Sequence, residues 1–160
     1  MNKNKRAITI IFSWFLVLAC MGLIFYLSHQ SAEVSSQQSE EAMNSPLAFL
    51  FRYIDHNTFR KVAHFLEYVG LAFLCCNAVY VSRERKKFSP FLPFLICFVY
   101  AVSDEIHQIF IPGRACRLFD IGVDCAGILA GMAAYFALRK VCGAARTFFA
   151  GKKTNRVLKQ

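Results

Sequence analysis

The chain is short of acidic charge, of tryptophan, and of any cysteine or histidine spacing that marks a dedicated motif. Its 160 residues hold 10 Asp and Glu against 19 Lys and Arg, a net charge of +9. In a soluble protein that balance raises nucleic acid as a partner; here the basic residues follow a membrane topology, and no nucleic acid is expected. Trp14 is the only tryptophan. The seven cysteines (20, 75, 76, 97, 116, 125 and 142) are odd in number, lie mostly in apolar runs and show no paired spacing. That pattern argues against a disulfide framework and for small core residues. Cys116, in a polar loop, is the candidate reactive thiol. No H-E-x-x-H or similar zinc motif occurs, no serine or cysteine has a triad context, and no internal repeat or low-complexity segment stands out.

What is present is apolar: 56% hydrophobic residues with 17 Phe. Ordinary soluble domains run lower, so the class is an integral membrane protein of one domain. Four apolar runs, each about 20 residues long, suffice to cross a hydrocarbon core of about 30 Å. They occupy residues 7–27, 57–81, 90–111 and 118–138. Val17-Leu18-Ala19-Cys20 faintly resembles a lipoprotein cleavage site, but the run stays apolar through Leu27, so the first segment is expected to remain as a span. The basic residues cluster at Lys3, Lys5 and Arg6, at Arg83, Arg85, Lys86 and Lys87, and after Arg139. By the positive-inside rule both termini are cytoplasmic. The expected fold is all-α: an integral membrane four-helix bundle, N-in and C-in, with a transmembrane domain over 1–138 and a basic cytoplasmic tail over 139–160. In the first outer loop, Ser45-Pro46 is a good helix start. Residues 47–54 then predict a short helix in the outer interface.

This topology brings every intramembrane charge to the outer ends of the spans. Ser28 and Gln30 end the first. Lys61, His64, Glu67 and Tyr68 form one polar stripe on the second, since residues three and four apart share a helix face. Asp104, Glu105, His107 and Gln108 end the third. Pro112-Gly113 breaks that helix and leaves Arg114 and Arg117 in a tight loop. Asp120 and Asp124 open the fourth, where Gly127 and Gly131, at small-xxx-small spacing, invite close packing by a neighbouring helix or a second copy of the chain. Ionisable groups at membrane depth are costly, and they need partners or a polar cavity.

Each piece also has a plain structural reading. Asp120 suits a helix N-terminus and His107 a helix C-terminus, Lys61 can snorkel, His29 can be a simple interfacial residue, and Arg114 can form a salt bridge to Asp104 or Glu105. Taken together, five acids (67, 104, 105, 120 and 124) outnumber the nearby cations. The surplus calls for a proton, a cationic ligand or a metal. His64-x-x-Glu67, Asp104-x-x-His107 and Asp120-x-x-x-Asp124 each offer two nitrogen or oxygen ligands on one helix face, as divalent-metal sites in helix bundles do. A polar network without metal is the alternative.

The whole pattern resembles the VanZ-like family. It comprises Ser28-x-Gln30-Ser31, Lys61-x-x-His64-Phe65-x-Glu67-Tyr68, Ser103-Asp104-Glu105-x-His107-Gln108-x-Phe110-x-Pro112-Gly113-Arg114, and Asp120-x-x-x-Asp124-x-x-Gly127-x-x-x-Gly131. The resemblance implies a multi-pass protein of the bacterial cytoplasmic membrane, in a family named for low-level teicoplanin resistance. It carries no catalytic assignment. Two classes of function fit. In one, the polar layer binds a cell-envelope amphiphile: a lipid-linked precursor, a lipid headgroup or a lipoglycopeptide, with Lys61, Arg114 and Arg117 on its anionic group. The other is a membrane-embedded hydrolase or transferase acting on a lipid headgroup. There His64 or Glu105 serves as general base, Arg114 steadies a developing anion, and the remaining acids, Glu67, Asp104, Asp120 and Asp124, hold a metal or tune proton affinity; Glu67, Asp104 and His107 are the further catalytic candidates. Transport is a third reading and a purely structural role a fourth.

Overall fold

The computed structural model describes residues 3–31, 33–34, 37, 56–83 and 88–157, excepting the side chains of 56–57 and 144–157. The expected interfacial helix at 47–54 lies outside the described residues. The fold is all-helical, with α1 Lys3–Ser28, α2 His56–Ser82, α3 Phe91–Gln108 and α4 Leu118–Val157. Among the described residues, three helices are long and apolar enough to cross a membrane: α1, α2 from Thr58, and α4 as far as Gly143. The shorter α3 has 18 residues and spends its last turns on Asp104, Glu105, His107 and Gln108, which dilutes its apolar character.

The central helix is α2, which packs on α4, α1 and α3, while α1 and α3 meet through side chains, as where the Tyr100 hydroxyl donates to the Met21 carbonyl at 2.6 Å. The core runs along α2 through Tyr68, Leu71, Ala72, Cys75, Ala78 and Val79, and takes Val17 and Ile24 from α1, Cys97 and Ala101 from α3 and Ile128 from α4. Ala72, Cys75, Ala78, Cys97 and Ala101 supply small residues to these contacts. Helices in lipid gain no hydrophobic drive from burying bulk, so close van der Waals packing holds them. Many large apolar side chains point outward: Ile11, Phe12, Phe15 and Leu18 of α1 are all more than half exposed, which places them against acyl chains. Cys75, Cys76 and Cys97 are buried, as small core residues should be, and Cys116 and Cys142 are exposed.

Gly127 and Gly131 bring the α4 backbone onto α2. A Cβ at Gly127 would lie 2.5 Å from the Phe65 carbonyl oxygen, and one at Gly131 would collide with the Val69 carbonyl. The face that the spacing offers to a second chain is therefore covered by α2 of the same chain.

The last helix does not end with the apolar run at residue 138: α4 runs on through the start of the basic tail to Val157, 40 residues in all. Charged Lys and Arg sustain a helix nearly as well as Ala, so the helix outlasts its hydrophobicity. At the far end of the bundle Arg139 stacks on Tyr80, 3.4 Å from the ring centroid, and the Trp14 indole donates to Ser82 Oγ at 2.9 Å.

Candidate functional site

The opposite end gathers the polar clusters, and the loop from α3 to α4 closes it. Arg114 N donates to the Ile111 carbonyl at 3.1 Å, and Gly113 has φ 76°. This is a turn with Pro at its second position and a left-handed glycine at its third, the type II requirement. It turns Arg114 back over the bundle, where the guanidinium donates from Nη2 to the Leu27 carbonyl at 3.4 Å. Loop and helix are also joined by Arg117 N donating to Glu105 Oε2 at 3.2 Å. Arg114 thus reaches the end of α1, and no ion pair joins it to Asp104 or Glu105 among the described residues.

A cavity of about 190 Å³ lies under this loop. Seven residues singled out in the sequence line it: Lys61, His64, Glu105, Gln108, Arg114, Arg117 and Asp120. Arg60 also lines it, so its rim carries four cations against two carboxylates. The surplus of acids lies one helical turn deeper. Asp104 and Asp124 are buried at 2% and 1% exposure, and Tyr68 is fully enclosed. The site is therefore two layers, a cationic rim over an acidic floor.

The floor is partly satisfied. Ser28 Oγ donates to Asp104 Oδ2 at 2.8 Å, and Gln108 Nε2 approaches the same oxygen at 3.4 Å. Among the described residues, Asp104 Oδ1, Glu67 Oε2, Asp120 Oδ1, both oxygens of Asp124 and the Tyr68 hydroxyl have no hydrogen-bond partner. His64 joins the layers: its Nδ1 lies 3.9 Å from Glu67 Oε2 and 3.9 Å from Asp124 Oδ1, while the ring borders the cavity. Burial and the neighbouring Arg60 lower the Arg114 pKa from its ordinary value, so its positive charge is held at a cost. Its Nε is buried without a partner among the described residues.

Among the described residues, no three His, Cys, Asp or Glu side chains assemble as a metal-holding group. Of the expected ligands, His64, Glu67 and Asp124 come together and Asp120 stays at the cavity wall. His107 turns away: its Nε2 sits 3.1 Å from His29 Nδ1, and its ring packs 4.7 Å from Phe25. Asp104 and His107 share a helix face in spacing, but the first points into the core and the second at the end of α1.

Arg60 is the residue that sequence reasoning passed over, and His29, read there as an interfacial residue, turns out to meet His107. The signal for Arg60 was its place one residue before the Lys61 stripe; for His29 nothing in the spacing foretold a partner 78 positions away. A family model described as VanZ/LLP1 matches residues 12–139, which spans all four helices. Comparison with curated proteins and with solved structures gives no match.

Proposed function

Because the chain belongs to the VanZ/LLP1 family, we propose that this multi-pass membrane protein binds the anionic headgroup of a cell-envelope amphiphile in the cavity under the α3–α4 loop. The polar end faces outward from the bacterial cytoplasmic membrane, and phosphate is the group it takes. Arg114 carries this reading. A guanidinium that is half-buried, beside Arg60, with an unpartnered Nε is stabilised by an anion in reach of both cations, and arginine suits phosphate through paired N–H donors.

Size narrows the ligand. Pockets that enclose drug-sized molecules run from about 300 Å³ upward, and this cavity has about 190 Å³. It accommodates a headgroup, with the acyl or prenyl chain left along the exposed aromatic and aliphatic faces of the helices. A whole lipoglycopeptide does not fit inside. A lowering of teicoplanin susceptibility by this chain would act through the bound amphiphile and not through capture of the antibiotic.

The test is binding of the purified full chain to vesicles containing phosphatidic acid against vesicles of phosphatidylcholine alone. Hydrogen bonds to charged groups contribute about 1.5–3 kcal/mol each, so Arg114→Gln is expected to weaken the preference for phosphatidic acid by roughly tenfold or more. Arg60→Gln should weaken it in the same direction. An unchanged preference in both variants would sink the reading.

A further inference from the structure

We propose that the cavity is catalytic as well as receptive, with His64 as general base and acid in the hydrolysis of a lipid phosphate monoester. The inference rests on the reading that the cavity takes a phosphate headgroup. Three observations on different helices carry it. His64 of α2 borders the cavity. Its Nδ1 edge is turned to Asp124 of α4, which leaves Nε2, on the opposite side of the ring, for the cavity. Asp124 is 1% exposed, and among the described residues both carboxylate oxygens are unpartnered, so no hydrogen bond there explains its burial.

A buried carboxylate that holds the Nδ1 proton of a histidine fixes the tautomer and leaves the Nε2 lone pair free to accept. The 3.9 Å separation is longer than a hydrogen bond. Such contacts are commonly loose without ligand and tighten in the complex. In the step, a water oxygen bonds to phosphorus as His64 Nε2 takes one of its protons. The bond between phosphorus and the lipid oxygen breaks, and His64 returns that proton to the departing oxygen. One water and one phosphate monoester become one alcohol and one inorganic phosphate, with nothing oxidised or reduced. Arg60 and Arg114 face the phosphate oxygens, where charge develops. Asp124 acts through His64 and is a positioning residue. Glu105, whose Oε2 holds the loop at Arg117, is the weaker candidate for the base.

The experiment uses the purified full chain in phosphatidylcholine vesicles containing either phosphatidic acid or a polyprenyl monophosphate, and reads inorganic phosphate release. Release from either lipid is expected, and the two arms tell a glycerolipid from a prenyl source. His64→Ala should lower the rate by at least 100-fold, within the range that general acid–base groups supply, while vesicle binding stays near wild type. His64→Gln keeps the side-chain volume if the alanine variant misfolds, and it should be equally inactive. Asp124→Asn should retain binding, lose at least tenfold in rate and shift the pH–rate profile, a readout that a purely structural aspartate would not move. Wild-type protein that binds both lipids but releases no phosphate overturns the catalytic proposal and leaves the binding reading standing; absence of binding removes both. Phosphate release that persists in His64→Gln also overturns it.

Discussion

Ser28 shows how much of the site lives at single side chains that no helical spacing could pair. Its hydroxyl is the shortest donor to Asp104, at 2.8 Å, across 76 residues of chain. Both groups are buried, so Ser28→Ala leaves Asp104 short of a donor where water cannot replace it. An unsatisfied buried group costs about 1–3 kcal/mol, and thermal unfolding of the detergent-solubilised protein should show a loss of that size. Ser103 is the control. It is exposed and, among the described residues, its hydroxyl donates to the Tyr100 carbonyl of its own helix, so Ser103→Ala should stay within about 0.5 kcal/mol. The polar residues themselves were legible, because ionisable groups among apolar ones stand out in any reading of the chain. Their partners were not. Rotation of one helix about its axis relative to the next decides whether Ser28 of α1 meets Asp104 or another residue of α3, and i+3 and i+4 periodicity within a helix says nothing of that rotation.

At the level of elements, the four helices follow from the four apolar runs, and the α3–α4 turn from Pro112-Gly113. What the runs could not supply was where α4 stops and what the glycine face meets. Gly127 has the Phe65 carbonyl where a methyl group would go, so Gly127→Ala must push α4 off α2. Overpacking of that kind costs about 1–3 kcal/mol, and Gly131→Ala should cost at least as much by the same melting assay. Gly122, on the same helix, has open space at its Cβ position. There Ala brings only its better helix propensity, up to about 1 kcal/mol, so Gly122→Ala should be neutral or stabilising. The loop makes a separate demand. With φ at 76°, Gly113→Val strains the turn that aims Arg114. Headgroup binding should fall in parallel with Arg114→Gln even though position 113 contributes no charge.

The whole molecule adds an orientation to this arrangement, and two native cysteines report it. Cys116 is exposed in the loop over the cavity, and Cys142 is exposed near the other end of the bundle. They are separated along α4 by about 36 Å from Leu118 onward, more than a hydrocarbon core of about 30 Å. A membrane-impermeant thiol reagent on intact cells should label the chain, Cys116→Ser should abolish the labelling, and Cys142→Ser should leave it unchanged. The buried Cys75, Cys76 and Cys97 should stay silent. Labelling that depends on Cys142 instead would put the cavity at the cytoplasmic face, and a ligand from the outer leaflet would no longer be available to it. The length of α4 carries a mechanical consequence as well. Its 40 residues make a rod of about 60 Å, roughly twice the thickness of the slab that holds it. Asp120, in the first turn, forms part of the cavity wall, so the wall and the far tip belong to one lever. A rocking of about 5° at the cavity displaces the tip by about 5 Å, close to the rise of one helical turn.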